Sequence, residues 1–167
     1  MPVTYEKIAT NTLGSSTPSV TFSSISSAYT DIKIVVSGVA SGAGAVLQVQ
    51  FNGDTTSGLY SMTELWGTGS AAGSNRRSNE NKIYTTYQSV NFGNSDQANA
   101  IIDVMNYANS TTFKTILART NSPSATYPGT AATAGLWRNT NAINSITLTL
   151  SNFLSGSTFT LYGIKAA

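Results

Sequence analysis

The sequence predicts an all-β protein, an antiparallel β-sandwich of the jelly-roll type with little or no helix. Apolar and polar residues alternate with a period of two in one segment after another, as they do in half-buried strands. Most of the segments begin 10 to 17 residues apart and are separated by Gly, Asn and Ser turn signals, a rhythm typical of an antiparallel sandwich. No window keeps the i, i+3, i+4, i+7 pattern of an amphipathic helix for three turns.

The strands follow from this alternation in chain order. Val20 and Phe22 share one face of the second segment, and Ile32, Ile34 and Val36 share one face of the third. The predicted strands are YEKIATNTL, SVTFSSI, DIKIVVSGV, VLQVQF, LYSMTELW, IYTTYQSV, AIIDVMNY, TFKTIL, TAGLWR, INSITLTL and STFTLYGI. AIIDVMNY is apolar on both faces apart from its acid, which predicts a central strand. We expect two packed sheets of about four strands each.

Length and composition indicate one domain, residues 1–167, that functions without redox or imidazole chemistry. A chain of this length buries roughly 70% of its unfolded surface, so its core needs no metal or disulfide. The chain has no Cys and no His, which excludes thiolate zinc sites, a Cys nucleophile and Ser-His-Asp catalysis. We therefore expect no catalytic, cofactor-binding or metal-binding residues, and a protein that is not an enzyme.

The surface must be covered by hydroxyl and amide groups, because charged residues make up only 10% of the chain. There are 23 Ser, 24 Thr and 15 Asn residues, together 62 of 167. Such surfaces suit proteins that pack beside copies of themselves or are exposed outside a cell, although compositional drift would give the same result. The net charge of +2 is too small for a nucleic-acid footprint, and no apolar run is long enough to span a membrane. No signal peptide is expected at the N-terminus.

Three polar motifs could carry chemistry, and each has a simpler structural interpretation. Asn52-Gly53-Asp54 could begin a calcium loop, but an isolated carboxylate after Asn-Gly favours a tight turn at the end of a strand. Asp103 could be a catalytic acid with a raised pKa, but the favoured interpretation is that it faces a sheet surface or pairs with Arg119 or Lys114 on the next strand. Arg76-Arg77 could clamp a phosphate, but the Gly/Ser/Asn-rich stretch around it favours a solvated loop tip.

The aromatic residues suggest a second class of function. Tyr60, Trp66 and Trp137, together with other tyrosines, could form flat platforms for sugar rings beside the loops at 53–60 and 67–82. In that case the protein would be a carbohydrate-binding receptor module that binds a host surface glycan. The alternative is that Trp66 and Trp137 cap the core or fill a subunit interface, where Trp and Tyr are enriched.

Several blocks that together span nearly the whole chain resemble a group of small virion structural proteins from tailed bacteriophages. The matching segments are YEKIATNTL, PSVTFSSI, YTDIKI, FNGDT, IIDVMNYANSTTFKT and GLWRNTNAINSITLTLSNFLSGSTFTLYGIKAA. None of them is a catalytic motif. The resemblance implies a jelly-roll subunit located in the virion, either a homotrimeric capsid decoration (cement) protein or part of a head or tail fibre.

On that basis, the expected partners are further copies of the chain and a major capsid protein, which the subunit would bridge and stabilise. We expect residues 1–13 to form the particle-facing segment, with contacts from Val3, Tyr5, Ile8 and Leu13. No membrane or nucleic-acid partner is expected.

Overall fold

The computed structural model describes residues 4–87 and 90–165. It is an all-β antiparallel sandwich without helix in these ranges, so the predicted fold class is confirmed. The twelve strands are β1 (Tyr5–Thr12), β2 (Thr17–Phe22), β3 (Asp31–Gly38), β4 (Gln48–Phe51), β5 (Tyr60–Gly67), β6 (Ala72–Glu80), β7 (Ile83–Tyr84), β8 (Ala98–Met105), β9 (Lys114–Ser122), β10 (Gly129–Trp137), β11 (Ile146–Phe153) and β12 (Thr158–Ile164).

The two sheets are unequal, in contrast to the expected four strands each. One sheet has eight strands in the order β1-β12-β3-β8-β9-β10-β5-β6, and the other has four in the order β2-β11-β4-β7. If β1, β12 and the hairpin β9–β10 are set aside, the larger sheet becomes β3-β8-β5-β6. That order, opposite β2-β11-β4-β7, is the strand arrangement of an eight-stranded jelly roll. The additional strands therefore widen one sheet of this fold.

The core lies between the two sheets and follows the predicted alternation. Ile32, Ile34 and Val36 of β3 are fully buried and alternate with partly exposed residues. Val49 and Phe51 of β4 are buried in the same way from the opposite sheet. AIIDVMNY forms most of β8, fourth in the large sheet, so the prediction of a central strand is confirmed.

The inserted hairpin fits beneath the short strand β7 because the residue that faces Ile83 is a glycine. Gly135 of β10 lies so close to Ile83 that an added Cβ would be 2.8 Å from the Ile83 side chain and 3.0 Å from that of Ile116. Ala118 and Ala131 are also buried on this inner face. The predicted strand IYTTYQSV is reduced to Ile83–Tyr84, and two of its residues, 88 and 89, lie outside the described ranges.

The stretch 67–82 is mainly a strand, so the prediction of a loop there is wrong. Residues Ala72–Glu80 form β6, which pairs with β5 along almost its full length. The stretch has almost no apolar residues because β6 is an edge strand that is exposed or partly exposed throughout. Backbone hydrogen bonds to β5, and not the burial of apolar side chains, hold this strand in place.

Candidate functional site

Asn52-Gly53-Asp54 forms a tight turn, as predicted. The Asp54 side chain joins this turn to Trp137 and Asn139 by hydrogen bonds. Asn52 and Gly53 have φ values of 52° and 66°, the left-handed conformation that this residue pair adopts readily. Asp54 Oδ2 accepts hydrogen bonds from Trp137 Nε1 at 3.0 Å and Asn139 Nδ2 at 3.4 Å, and its Oδ1 accepts one from the Thr56 backbone at 3.0 Å. Burial by itself would raise the pKa of Asp54, but these hydrogen bonds outweigh burial and lower it.

Tyr60 and Trp137 are fully buried, so neither forms an exposed sugar platform, and Trp137 has the core position that was the alternative interpretation. Their rings are stacked with centroids 6.2 Å apart, and the ring of Phe51 lies 5.5 Å from that of Trp137. The Tyr60 hydroxyl donates a hydrogen bond to the Asp54 carbonyl at 3.0 Å. The two residues belong to the inner faces of β5 and β10, where strand alternation directs them into the core.

Trp66 lies at the other end of β5, away from Tyr60 and Trp137, and is half-buried. Its indole packs over Gly73 of β6, where an added Cβ would be 2.8 Å from the ring. The indole Nε1 is buried and has no hydrogen-bond partner among the described residues. Of the three aromatic side chains proposed for sugar binding, Tyr60 and Trp137 therefore meet inside the core, and Trp66 lies apart from them.

The N-terminal segment forms the edge strand β1, and its side chains differ in how far they are buried. Ile8 and Leu13 are partly buried and pack against the core, whereas Tyr5 is 52% exposed. Leu13 is also fixed by backbone hydrogen bonds with Gly156 and Ser157. Val3 lies outside the described residues. Of the described contact residues in this segment, Tyr5 has the most exposed side chain.

The outer face of the eight-stranded sheet forms a regular array, because its strands pair in register over most of their length. One row across this face consists of small or polar residues: Thr12, Thr158, Ser37, Asn99, Asn121, Thr130, Gly67 and Ala72. The next two rows contain a group that we name the apolar centre: Leu65, Ile101, Leu117, Ala132 and Ala134. The sheet therefore presents an apolar surface bordered by hydroxyl and amide groups.

The apolar centre is accessible to solvent and is grooved. Leu65 is 62% exposed and Leu117 is 40% exposed, and Met105 in the next row is 44% exposed. A groove of about 510 Å³ runs between Leu65 and Ile101 over Ala132, with Arg119 along its wall. The groove exists because small side chains in β10 lie between larger ones on the neighbouring strands.

Asp103 lies beside the apolar centre and is paired with two cations. Lys33 Nζ is 2.6 Å from one of its carboxylate oxygens, and Arg119 Nη2 is 3.2 Å from the other. The favoured interpretation, that Asp103 faces a sheet surface or pairs with Arg119 or Lys114, is thus confirmed, and Arg119 is the partner on the next strand. Lys114 is buried on the inner face, where it donates hydrogen bonds to the carbonyls of Thr112 and Thr140.

A second depression, of about 330 Å³, lies at the corner of the outer face where β5, β6 and the end of β10 meet. We name it the basic pocket; its lining residues are Ser61, Met62, Thr63, Arg76, Arg77, Ser78 and Arg138. Arg138 donates hydrogen bonds to the Gly58 carbonyl at 3.2 Å and to Ser61 Oγ at 3.0 Å. Among the described residues, neither Arg76 nor Arg138 forms an ion pair.

Arg77 differs from the other two arginines because an acid, Glu80, neutralises its charge. Its guanidinium pairs with Glu80 at 2.6 Å, and its centre lies 4.6 Å and 4.4 Å from the ring centroids of Tyr84 and Tyr87. The Arg77 guanidinium is therefore neutralised and lies against the two tyrosines, and Arg76 and Arg138 supply the uncompensated charge of the basic pocket.

Sequence reasoning missed the basic pocket and the apolar centre. The alternation Ser61, Thr63, Leu65 along β5 was the available signal, since residues two apart share one face of a strand. The distance in sequence between Arg76 and Arg138 concealed their proximity, which depends on β5 pairing with both β6 and β10.

Glu64 is a buried acid that accepts hydrogen bonds and forms no ion pair with any described residue. It is 2% exposed and accepts hydrogen bonds from the Tyr87 backbone at 2.9 Å and from Asn75 Nδ2 at 3.1 Å. Burial raises its pKa above the ordinary value of 4.5, and the two hydrogen bonds oppose that rise only in part. The native state therefore keeps this proton to a higher pH than the unfolded chain does.

We expect Glu64→Gln to become more stable relative to the wild type as the pH rises. A raised pKa in the folded state means that the Glu64 contribution to the free energy of unfolding falls once the pH exceeds 4.5. Gln does not titrate and so escapes this loss. Urea unfolding of both proteins at several values from about pH 4 to about pH 7 measures the difference.

Glu6→Gln is the matched control. A hydrogen bond from Lys165 lowers the pKa of the exposed Glu6, so its trend with pH should be absent or of opposite sign. A Glu64→Gln difference that stays constant with pH would contradict the interpretation.

No group of three or more Asp or Glu side chains within the described ranges could hold a metal ion. None of the described residues forms a helix long and apolar enough to cross a membrane. Comparisons with protein-family models, with curated proteins and with solved structures each found no significant match.

Proposed function

We propose that this protein is a structural subunit of a tailed-bacteriophage virion, a homotrimeric capsid decoration protein that stabilises the capsid by bridging major capsid proteins. The sequence blocks that resemble phage virion proteins support this role. The widened jelly roll is compatible with it, because a flat sheet face is suited to packing against neighbouring subunits. In this proposal the protein acts through its shape and its assembly.

The observation that carries the proposal is the exposed apolar centre, which we assign to contact with a second copy of the chain. Eight strands spaced about 4.8 Å apart, each about eight residues long, give a face of roughly 1,000 Å². A stable interface needs about 800 Å² per partner. Leu65 projects beside a groove of about 510 Å³ on the same face, so identical subunits each offer both a projecting side chain and a recess.

The edge strand β1 is the surface that we assign to the capsid. Its exposed Tyr5 and its outer backbone groups are available for pairing, whereas the apolar centre is occupied by neighbouring copies. Deletion of this strand would remove the partner of β12 and the core contacts of Ile8, so it would also damage the fold. Tyr5→Ala is therefore the better variant for testing capsid binding.

Charges placed in the apolar centre should dissociate the assembly. We expect the variant Leu65→Lys with Leu117→Lys to be a folded monomer, because two buried ammonium groups in the interface would be unpaired. Sedimentation equilibrium gives the mass, and circular dichroism checks the β fold. Ser19→Lys, on an exposed position of β2, is the matched control and should remain trimeric. A monomeric wild type, or a double variant of unchanged mass, would refute the interface.

The position in the virion requires a separate experiment. Antibodies raised against the full chain and imaged by electron microscopy should label the whole capsid surface of purified particles. Labelling confined to fibre tips would replace the decoration role with a fibre role. Particles without any label would exclude both roles.

A further inference from the structure

We propose that the basic pocket binds a carboxylate-bearing sugar residue, such as a uronic acid of an acidic polysaccharide. This inference does not depend on the virion role. It rests on the residues at the corner of β5, β6 and β10, and it uses none of the aromatic residues that the sequence suggested for glycan binding.

Charge is the first argument. Three arginines line the pocket, and Glu80 neutralises one of them, Arg77. Arg76 and Arg138 form no ion pair among the described residues, so two unpaired positive charges line one small depression. An anionic group could pair with them, and a guanidinium binds a planar carboxylate through two parallel hydrogen bonds.

Preorganisation is the second argument. The Arg138 guanidinium is held at two of its nitrogens, by the Gly58 carbonyl and by Ser61 Oγ. A guanidinium has five N–H donors, so donors remain for a ligand after these contacts are made. Arg76 is placed across from Thr63 by the pairing of β6 with β5. Less conformational entropy is lost on binding when one cation is already fixed.

The third argument concerns the rest of the wall, which distinguishes a sugar acid from a bare anion. Ser61, Thr63 and Ser78 place hydroxyl groups around the arginines, and each can donate and accept hydrogen bonds with sugar hydroxyls. The volume of about 330 Å³ lies at the lower end of the range for small-ligand sites, which suits a single sugar ring. A simple anion would leave these hydroxyls without a role.

Titration of the full-length protein with D-glucuronate, D-glucose or sodium sulfate at low salt, followed by amide NMR, tests the assignment. We expect saturable glucuronate shifts at the amides of residues 61, 63, 76 and 78, weaker binding of sulfate and no binding of glucose. Arg76→Gln should weaken glucuronate binding about tenfold or more, because it removes a charge-assisted contact. Lys7→Gln, which removes an exposed cation from the opposite sheet edge, should leave the affinity unchanged.

Arg138→Lys gives a second measurement, since Lys keeps the charge but loses the planar two-point contact, and it should also weaken binding. Polygalacturonate should bind more tightly than the monosaccharide if the natural ligand is a polymer. Equal binding of glucose and glucuronate, sulfate binding as tight as that of glucuronate, or equal losses in Arg76→Gln and Lys7→Gln would each overturn the proposal. The mass and labelling experiments on the virion role are unaffected by any of these results.

Discussion

Asp54→Ala is expected to lower the free energy of unfolding by about 3 kcal/mol, because it leaves buried donors without acceptors. The most affected donor is Trp137 Nε1, which belongs to a fully buried side chain and donates to Asp54 Oδ2 at 3.0 Å. The Thr56 backbone and Asn139 lose their acceptor in the same substitution. Urea unfolding followed by Trp fluorescence measures the change.

Asp54→Asn should rescue only part of this loss. Both carboxylate oxygens act as acceptors in the native protein, Oδ1 for Thr56 and Oδ2 for Trp137 and Asn139. An amide has one acceptor oxygen, so its NH₂ group would face donors on one side. Asp96→Ala, which removes a partly exposed acid that accepts a hydrogen bond from the adjacent Ser95, is the matched control and should cost less than about 0.5 kcal/mol.

The Asp54 contribution should also depend on pH in a defined direction. Its folded-state pKa is lowered below the ordinary value of 3.8, so its stabilising effect is complete above that pH. The effect is lost as the pH falls through the folded-state pKa. The difference between wild type and Asp54→Ala should therefore shrink in acid, and a constant difference would show that the carboxylate charge is not what the donors recognise.

Gly129→Ala is expected to destabilise the protein by roughly 3 kcal/mol or more, through backbone strain and a steric clash. Gly129 begins β10 with a φ of 141°, a conformation that side chains disfavour. An added Cβ would lie 2.3 Å from the carbonyl oxygen of Gly67 and 3.1 Å from the Thr68 Cα. Because the nearest neighbour is backbone, a side-chain rotation cannot relieve the contact.

Thermal unfolding of Gly129→Ala beside Gly156→Ala separates the two causes. Gly156 also has a positive φ, of 86°, but an added Cβ there has no heavy atom within 4 Å. The control should therefore show the conformational cost without the clash. Equal losses in the two variants would mean that β10 can shift away from Gly67, contrary to a rigid join between the inserted hairpin and β5.

The sequence determined which segments form strands wherever one face of a strand is buried. β3 shows this, because Ile32, Ile34 and Val36 alternate with polar or exposed positions and only one arrangement buries them. The turn at Asn52-Gly53 was equally predictable from the sequence, since it depends on the backbone preferences of two adjacent residues. β6 was missed because an edge strand without buried side chains has no alternation to detect.

Only the tertiary structure decided where the side chains of similar strands are located. Tyr60 and Trp66 lie on the same face of one strand, yet one is fully buried and the other half-buried. Tyr60 packs against Phe51 of the opposite sheet, whereas Trp66, near the other end of the strand, packs on Gly73 of its own sheet. The apolar centre and the basic pocket depend on strand order, which brings residues of β5, β6 and β10 together from distant parts of the chain. Local sequence encodes the period of a strand, but the neighbours of that strand follow from pairing across the whole sheet.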